Sequence, residues 1–412
     1  MASTYDLVVF GATSFVGQIL VGNLQKHAND NSDFAWAIAG RSESRLNDVK
    51  KALGLKAADL PVIVTDASDE NALRAMCEQT KVVVSTVGPY ALYGSTLVKV
   101  CAETGTDYCD LTGEAQWIKK MITEHEATAK ASGARIVNCC GFDSIPSDLG
   151  VYHLQQNAKQ QFSTTCNHIS MRVKAAKGGF SGGTVTSIVN AVKEAMADPA
   201  VRKIMADPYS ICPEGHPYKA RQFNQKSAVL DTDFNRWTAP FVMAPINTRV
   251  VFRSNALQDN DYGKDFTYNE AILTGKGVKG RMTAITISAS LGAFVAATMI
   301  KPSRWLLENY MLPKPGEGPT PEEQEKGFYD LRFIGKTTSG NKIWTKVTGD
   351  RDPGYGSTSK MLGQAAICLA KDISREEKAG GFWTPASIFG QKLVDRLEKH
   401  AGVTFEVIND AK

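Results

Sequence analysis

Residues 5–17 read YDLVVFGATSFVG, and this stretch decides the fold. Its apolar half predicts a buried strand over Tyr5–Phe10, and the glycine-containing half turns into a helical pattern. A strand, a glycine turn and a helix, in that order, form a dinucleotide-binding fingerprint. Gly11 allows the tight turn, Gly17 lets the helix pack on the strand, and the first helix amides face a pyrophosphate. Ser14 replaces the middle glycine, so the turn alone fits a cofactor site and a plain strand-to-helix turn equally well.

Further strand patterns follow the first one and alternate with helical stretches. They lie at Phe34–Ala39, Val62–Thr65, Val82–Thr86, Asp107–Asp110 and Arg135–Asn138. Strands that alternate with helices form a parallel, doubly wound sheet. The sequence therefore predicts an α/β protein that begins with a Rossmann sheet, and this context favours the cofactor interpretation of the first turn.

The end of the second strand indicates which cofactor binds. An NAD-selective site carries an acidic residue there for the ribose hydroxyls, whereas this chain has Arg41 and Ser42. An arginine suits a 2′-phosphate, which favours NADP(H) and argues against S-adenosylmethionine. The alternative is that Arg41 is a solvated residue at a helix start. Asp66 either accepts a hydrogen bond from the adenine amino group or caps a helix that begins near Ser68.

The expected cofactor contacts lie where strands end, because ligands of open α/β sheets bind at the carboxyl edge. Asp143 or Ser144, after the sixth strand, is expected to orient the nicotinamide carboxamide. The full set is Gly11, Thr13, Ser14, Phe15, Val16, Gly17, Arg41, Ser42, Asp66, Ser85, Thr86, Val87, Gly88, Pro89, Asp143 and Ser144.

The second half of the chain offers fewer chemical signals. Gly182, Gly183 and Thr184 lie in a glycine-rich turn before a helical run and either bind an anionic group of the substrate or form an ordinary turn capped by Thr184. Tyr355, flanked by glycines in an expected mobile loop, and Tyr90 are the candidate proton donors. Either tyrosine also fits a plain packing role.

Composition excludes several classes of protein. The net charge of the 412 residues is +4, which is too small to indicate a nucleic-acid groove. None of the eight cysteines forms a C-x-x-C pair and the histidines lack metal-ligand spacing, so we predict no metal site. The adjacent Cys139 and Cys140 are expected to be buried as small apolar residues. The N-terminal residues lack a secretory pattern, so the expected location is cytoplasmic.

One uncharged segment complicates that location. Residues 283–300 read TAITISASLGAFVAATMI, which reaches the lower length limit for spanning about 30 Å of hydrocarbon. Its five Ser and Thr residues weaken the hydropathy, so we favour a buried helix or a strand followed by a helix. The alternatives are a transmembrane helix and an apolar surface facing a membrane, a lipid substrate or a second subunit of a homodimer.

Several motifs together resemble one family. They are GATSFVG at 11–17, GRSESRL at 40–46, STVGPYALYG at 85–94, TDYCDLTGE at 106–114, GFDSIPSDLG at 141–150, GGFSGGT at 178–184, GDRDPGYGSTSKML at 349–362 and GGFWTPAS at 380–387. They resemble the saccharopine dehydrogenase-like oxidoreductases, and within them the branch that includes trans-acting enoyl reductases.

The resemblance implies three parts of the chain. Residues 1–145 form the Rossmann domain that binds NADP(H), residues 146–357 form an α+β domain for substrate and dimerisation, and residues 358–412 form a helical segment that returns to the first domain. We find no pattern that transfers the amino-acid-binding residues of saccharopine dehydrogenases.

The sequence thus favours an NADP(H)-dependent oxidoreductase of lipid metabolism. Its expected reaction is hydride transfer to a C=C (enoyl) or C=N bond of a small-molecule, apolar or lipid-like substrate. One alternative is a non-catalytic NADP-binding scaffold associated with lipid or a membrane through residues 283–300. The other is a saccharopine-type amino-acid dehydrogenase.

Overall fold

A parallel sheet forms the first half of the molecule. The computed structural model describes residues 3–54, 60–178, 182–307 and 318–410, apart from the side chain of Thr184. The sheet strands are β1 (Tyr5–Phe10), β2 (Trp36–Gly40), β3 (Val62–Val64), β4 (Thr80–Ser85), β5 (Asp107–Asp110), β6 (Arg135–Val137) and β13 (Gly381–Trp383). Their order is β13-β6-β5-β4-β1-β2-β3, and every pairing is parallel. The chain reverses direction across the sheet at β1, where ligands of such sheets bind.

Helices cover this sheet because its strands are apolar in successive residues. Every residue of β2 and all but the first of β1 are buried, which requires a helix layer on each face. The helices are α1 (Phe15–Asp30), α2 (Glu43–Ala52), α3 (Glu70–Cys77), α4 (Tyr90–Tyr93), α5 (Ser95–Thr104), α6 (Ala115–Ser132) and α7 (Ile145–Phe162). The predicted α/β fold with an N-terminal Rossmann sheet is confirmed.

A second, mixed sheet forms the other half. Its strands are β7 (His168–Lys177), β8 (Val229–Asp231), β9 (Arg236–Pro240), β10 (Thr267–Gly275), β11 (Phe328–Lys336), β12 (Lys342–Gly349) and β14 (Val403–Ile408), in the order β14-β12-β11-β7-β10-β9-β8. Strands β7 and β10 are parallel, and the other neighbours are antiparallel. The accompanying helices are α8 (Gly182–Ala197), α9 (Pro199–Ala206), α10 (Ala244–Leu257), α11 (Gly277–Met299), α12 (Lys301–Leu306) and α13 (Pro321–Glu325).

The C-terminal segment returns to the first half, as expected, but it is not purely helical. Its helices are α14 (Thr358–Lys371), α15 (Pro385–Phe389) and α16 (Gln391–His400), and it also supplies β13 to the parallel sheet and β14 to the mixed sheet. Helix α14 packs on α1, where the Asn23 amide donates to the Ser359 hydroxyl at 3.0 Å. Lys371 forms an ion pair with Asp6 of β1 at 2.9 Å. The segment therefore ties the two sheets together.

The apolar segment 283–300 is not buried, so that prediction is wrong. It lies mainly in α11, where only Gly280, Ala284 and Thr298 are buried. Its sequence is apolar on all sides and has no polar face, so hydropathy alone did not show which side faces solvent. Helix α11 is long and apolar enough to cross a membrane, with a mean hydropathy of 1.6 over its apolar window.

The cysteines lie in the protein interior, as expected for small apolar side chains. All eight are buried and free, including Cys139 and Cys140 as predicted. Burial raises the pKa of both of these thiols well above the ordinary value, so they remain protonated and unreactive. These cysteines therefore contribute packing rather than redox chemistry.

Candidate functional site

The first glycine turn is shaped by contacts that leave no room for side chains. Gly11 has a φ of +89°, and a Cβ there would lie 2.6 Å from Val87 Cγ2 and 2.8 Å from Thr86 Oγ1. A Cβ at Gly17 would overlap the carbonyl oxygen of Gly11. Both positions therefore require glycine, one for its backbone conformation and both for the close approach. The turn is thereby held against the end of β4, at the carboxyl edge of the parallel sheet.

Ser14 caps α1 instead of crowding the approach to the turn. Its hydroxyl accepts a hydrogen bond from the amide of Gly17 at 2.9 Å and is bonded to the Thr86 hydroxyl at 3.0 Å. The amides of Phe15 and Val16, the first two of the helix, have no acceptor within it. They remain available for an anion, and the helix dipole adds to the attraction. Thr13, in the same turn, is half-buried. The turn therefore fits a pyrophosphate although Ser14 stands in place of its middle glycine.

A cation lies at the second expected contact. Arg41 is exposed directly after β2, and Ser42 caps the adjacent helix α2 by accepting from the Arg45 amide at 3.4 Å. A helix start next to an arginine suits the 2′-phosphate of NADP(H). Asp66 forms a local turn in which it accepts from Ser68, and these bonds, followed by the charge of Arg41, lower its pKa.

The cap interpretation of Asp66 is wrong. Helix α3 begins at Glu70, two residues later than expected, and Asp69 caps it by accepting from the Ala72 amide at 3.0 Å. Asp66 is occupied by its own turn, because it accepts from both the amide and the hydroxyl of Ser68. Its expected contact with adenine stays a prediction.

The segment after β4 lines the turn, but Tyr90 faces away from it. Gly88 is exposed and Pro89 half-buried next to the turn, while Ser85 accepts from the Val87 amide at 3.4 Å. The Tyr90 hydroxyl donates to the Ser85 carbonyl at 2.9 Å, and burial raises its pKa well above the ordinary value. A phenol held inside by the main chain is poorly placed to protonate a ligand, so the geometry argues against Tyr90 as the donor.

Glu114 joins the two halves of the molecule and was missed in the sequence. Its carboxylate accepts from the amides of Tyr90 and Ala91, both at 2.9 Å, and from the Ser187 hydroxyl of α8 at 2.8 Å. The side chain is buried, which raises its pKa. Glu114 thus holds the segment after β4 against α8. No sequence motif signals this contact, since it depends on a partner 73 residues away.

Tyr355 contacts both glycine-containing turns, the one before α1 and the one before α8. Its ring packs edge-on against Phe15, with centroids 4.8 Å apart, and its hydroxyl oxygen accepts from the Gly182 amide at 3.0 Å. This bond leaves the phenolic proton for another acceptor. The expected mobile loop is instead a buried π-helical turn, Pro353–Ser357, because Asp352 accepts from the amides of Tyr355 and Gly356 at 2.9 and 2.8 Å.

The glycine-rich turn itself is only partly described. Gly182 begins α8 and gives its amide to Tyr355, while Gly183 is exposed. The side chain of Thr184 and residues 179–181 lie outside the described residues. Because one helix amide is already taken by a phenol, the turn is less open to a substrate anion than the turn before α1.

Helix α8 carries an unpaired amide on the side that faces the parallel sheet. Ser187 contacts Glu114, and Glu194 accepts from the Gln116 amide at 3.2 Å. Asn190 lies between them on the same helix face. Within the described part of the chain, its Nδ2 is buried without a hydrogen-bond partner. A buried donor without an acceptor is costly, so Asn190 is a candidate to bind a ligand oxygen.

Asp143 lies next to the loop after β5 that contains Gly113 and Glu114. Its carboxylate and the side chains of Met243 and Ile246 surround the position that a Cβ at Gly113 would occupy, at 3.8–4.0 Å. Burial raises the pKa of Asp143 to about 7, which keeps a large fraction protonated near neutral pH. Ser144 faces elsewhere, since its hydroxyl donates to Asn247 at 3.2 Å. Asp143 rather than Ser144 is therefore the candidate at the nicotinamide end.

The chain matches known proteins over its whole length. The profile described as "Saccharopine dehydrogenase NADP binding domain" matches residues 7–137. A Mycobacterium tuberculosis protein, provisionally named a trans-acting enoyl reductase, is 38% identical over 98% of this chain and 97% of its own. Trans-acting enoyl reductases of Mycobacterium bovis and Mycobacterium ulcerans are 37% and 34% identical, over 95% of each chain.

A solved structure shares the architecture. Apo saccharopine dehydrogenase (L-Glu forming) from Saccharomyces cerevisiae superposes with a TM-score of 0.56 and 11% identity, covering 98% of this chain and 99% of its own. At this identity, the likeness concerns the fold alone. The matched NADP-binding domain agrees with the turn before α1 and with Arg41, so NADP(H) is the cofactor, as predicted. The chain belongs to the saccharopine dehydrogenase-like family of NADP-dependent oxidoreductases, together with relatives named trans-acting enoyl reductases.

Proposed function

We propose that this oxidoreductase reduces the C=C bond of an enoyl group conjugated to a carbonyl, in an apolar, lipid-like substrate. The observation that carries the proposal is a buried amide nitrogen without a hydrogen-bond partner, on Asn190, together with a half-buried carboxyl of raised pKa, on Asp143. Both lie beside the loop that contains Gly113 and Glu114. The names of the mycobacterial relatives support the same reaction.

The two side chains divide the chemistry of an enoyl reduction. NADPH, when bound, supplies the hydride that the β-carbon accepts, and the electron pair of the C=C bond moves onto the carbonyl oxygen. The Asn190 amide donates a hydrogen bond to that oxygen and stabilises the enolate charge. Asp143 then gives a proton to the α-carbon, and its carboxylate is reprotonated from solvent. The product is the saturated carbonyl compound together with NADP⁺.

The surroundings of Asp143 favour an apolar substrate. Met243, just before α10, and Ile246 of α10 lie with the Asp143 carboxyl around the same point at Gly113, and burial raises the pKa of that carboxyl. Helix α8, which carries Asn190, also packs against the apolar helix α11. An amino-acid substrate would need charged partners for its ammonium and carboxylate groups, so the saccharopine-type alternative is weaker.

Consumption of NADPH tests the proposal. Enoyl thioesters of increasing chain length are supplied to the full chain, and lysine with 2-oxoglutarate is supplied in a parallel reaction. We expect NADPH oxidation with the enoyl substrates, at a kcat/KM that rises with chain length. Oxidation with lysine and 2-oxoglutarate alone would favour the amino-acid dehydrogenase. Saturable NADPH binding without turnover of any substrate would favour a non-catalytic scaffold.

A further inference from the structure

Helix α11 has one side on the protein and the other in solvent. Its inward stripe is buried or half-buried at positions spaced three or four residues apart, namely 280, 284, 287, 291, 294 and 298, and it contacts β9, β10 and α8. The opposite side is exposed and apolar. We call it the α11 outer face, and it consists of Val278, Met282, Ile285, Val295 and Met299, which are between 38% and 78% exposed.

The apolar surface continues into the next helix. Ile300, Trp305 and Leu306 are 59%, 57% and 50% exposed, and the Ser303 hydroxyl ties α12 to α11 by donating to the Ala297 carbonyl at 2.8 Å. Folded monomers rarely leave so many large apolar side chains side by side in water. An exposed tryptophan at the end of an apolar helix is typical of the boundary between membrane and water.

The charges around this surface all have one sign. Lys276, Lys279 and Arg281 precede the uncharged stretch, and Lys301 and Arg304 follow it. No acidic residue occurs in the sequence between Glu270 and Glu308. Basic residues near an apolar surface are attracted to the anionic headgroups of a bilayer, whereas a second copy of the same surface would repel them. The charges therefore favour a lipid partner over a dimer.

Three of the five hydroxyl side chains of α11 satisfy their hydrogen bonds within the helix. Thr283, Ser288 and Thr298 each donate to a carbonyl of their own helix, at 2.7–3.0 Å. Such bonds remain intact in a medium that offers no water, whereas an unsatisfied hydroxyl would be costly in hydrocarbon. These three hydroxyls are thus compatible with contact to lipid.

The inward stripe keeps α11 on the surface of the protein. The Gly280 carbonyl accepts from the Thr274 hydroxyl at 2.8 Å, and a Cβ at Gly280 would overlap the main chain of Gly275. The Arg281 guanidinium lies over the Trp237 ring, 5.3 Å from its centroid. A spanning orientation would break these contacts, whereas an orientation in the plane of the membrane preserves them.

We propose that the α11 outer face docks on the surface of an anionic lipid bilayer, with its apolar side chains among the upper acyl segments and the flanking cations at the headgroups. This docking does not rest on the proposed reduction, because it concerns binding alone. It does suit an apolar substrate, since α8 packs on α11 and also contacts Glu114 at the edge of the cofactor sheet.

Co-flotation with vesicles tests the docking. The full chain is mixed with phosphatidylcholine vesicles that contain phosphatidylglycerol and, separately, with pure phosphatidylcholine vesicles. We expect flotation mainly with the anionic vesicles, weakened by salt. Val295→Glu places a charge on the outer face and should lower vesicle affinity about tenfold or more. Lys279→Gln and Lys301→Gln should each lower affinity for the anionic vesicles about fivefold.

Val407→Glu is the matched control, because Val407 is similarly exposed, at 42% against 38% for Val295, and lies on β14 at the far edge of the mixed sheet. It should float like the unmodified protein, and both variants should keep the thermal unfolding of the unmodified protein. No flotation with anionic vesicles, or equal losses in Val295→Glu and Val407→Glu, would overturn the proposal. A lipid-free dimer that Val295→Glu dissociates would also overturn it and assign the face to a second copy.

Discussion

The two sides of the candidate site are built in different ways. The cofactor side is mostly main chain from one short stretch, with Gly11 and Gly17 shaping the turn and the first amides of α1 facing the anion. The opposite side consists of side chains from distant segments, among them Asn190, Asp143 and Tyr355. A main-chain cradle recognises a phosphate that all members of a cofactor class share, whereas side chains determine which substrate reacts and how.

The difference predicts separable defects. A change on the cofactor side should weaken NADP(H) binding and affect turnover only through it. A change on the side-chain side should reduce the chemical step and leave cofactor affinity unchanged. Glu114, which contacts both the segment after β4 and α8, lies between the two sides and should show a smaller, mixed effect.

The largest effect is expected for Asp143→Asn. The amide retains the shape of the carboxyl but has no acidic proton to give, so kcat should fall about a hundredfold or more. The dissociation constant of NADPH should not change. Because burial raises the pKa of Asp143 to about 7 and the acid acts in its protonated form, kcat of the unmodified protein should decrease as pH rises through about 7.

Rate and binding measurements over pH distinguish this role from a structural one. In Asp143→Asn, the residual kcat should lose the decline near pH 7. If the decline persists in the variant, another group is the acid, and Tyr355→Phe becomes the next variant to test.

The second-largest effect is expected for Gly17→Ala, a change on the cofactor side. In Gly17→Ala, the new methyl group would overlap the Gly11 carbonyl, so the turn must shift and NADPH affinity should fall about tenfold to a hundredfold. Gly22→Ala is the matched control in the same helix, because a Cβ there meets only Leu53 at 3.7 Å. Titration calorimetry with both variants checks the effect, and equal affinities would show that the turn does not hold the pyrophosphate.

Selectivity between cofactors is the third effect. Arg41→Gln removes the cation expected at the 2′-phosphate and should weaken NADPH binding about tenfold while NADH binding stays the same. Arg45→Gln, which changes an exposed arginine one turn further along, should alter neither affinity. A loss of affinity for both cofactors in Arg41→Gln would mean that this arginine supports the fold and not the phosphate.

The smallest effect is expected for a change at Glu114, which joins the segment after β4 to α8. Glu114→Gln keeps one acceptor oxygen but places an amide next to the main-chain donors of Tyr90 and Ala91, so the free energy of unfolding should fall by about 1–2 kcal/mol. The KM of the substrate should rise a few-fold because α8 is held less firmly. Chemical denaturation and steady-state kinetics measure the two changes, and an unaltered stability would show that Glu114 does not hold the segment after β4 against α8.

The same difference explains what the sequence could predict. Gly11 and Gly17 act within one short stretch of main chain, Arg41 directly follows a strand, and the alternation of strands and helices is a local pattern, so the turn, the position of the arginine and the parallel sheet were predictable. Tyr355 binds Gly182, 173 residues away in the chain, and the Glu114 contact with Ser187 spans 73 residues. No local pattern encodes such pairs. The exposure of α11 escaped prediction for a related reason, since an apolar helix looks alike whether protein or lipid covers it.

Transfer of a labelled hydride tests the central claim most directly. NADPH carrying deuterium at the transferable C4 position is incubated with a long-chain enoyl thioester and the full chain, and the product is analysed by mass spectrometry. The predicted result is a saturated thioester with one deuterium at the β-carbon, formed far more slowly by Asp143→Asn although this variant binds NADPH normally. An unreduced thioester in the presence of saturating, bound NADPH would contradict the proposed enoyl reduction.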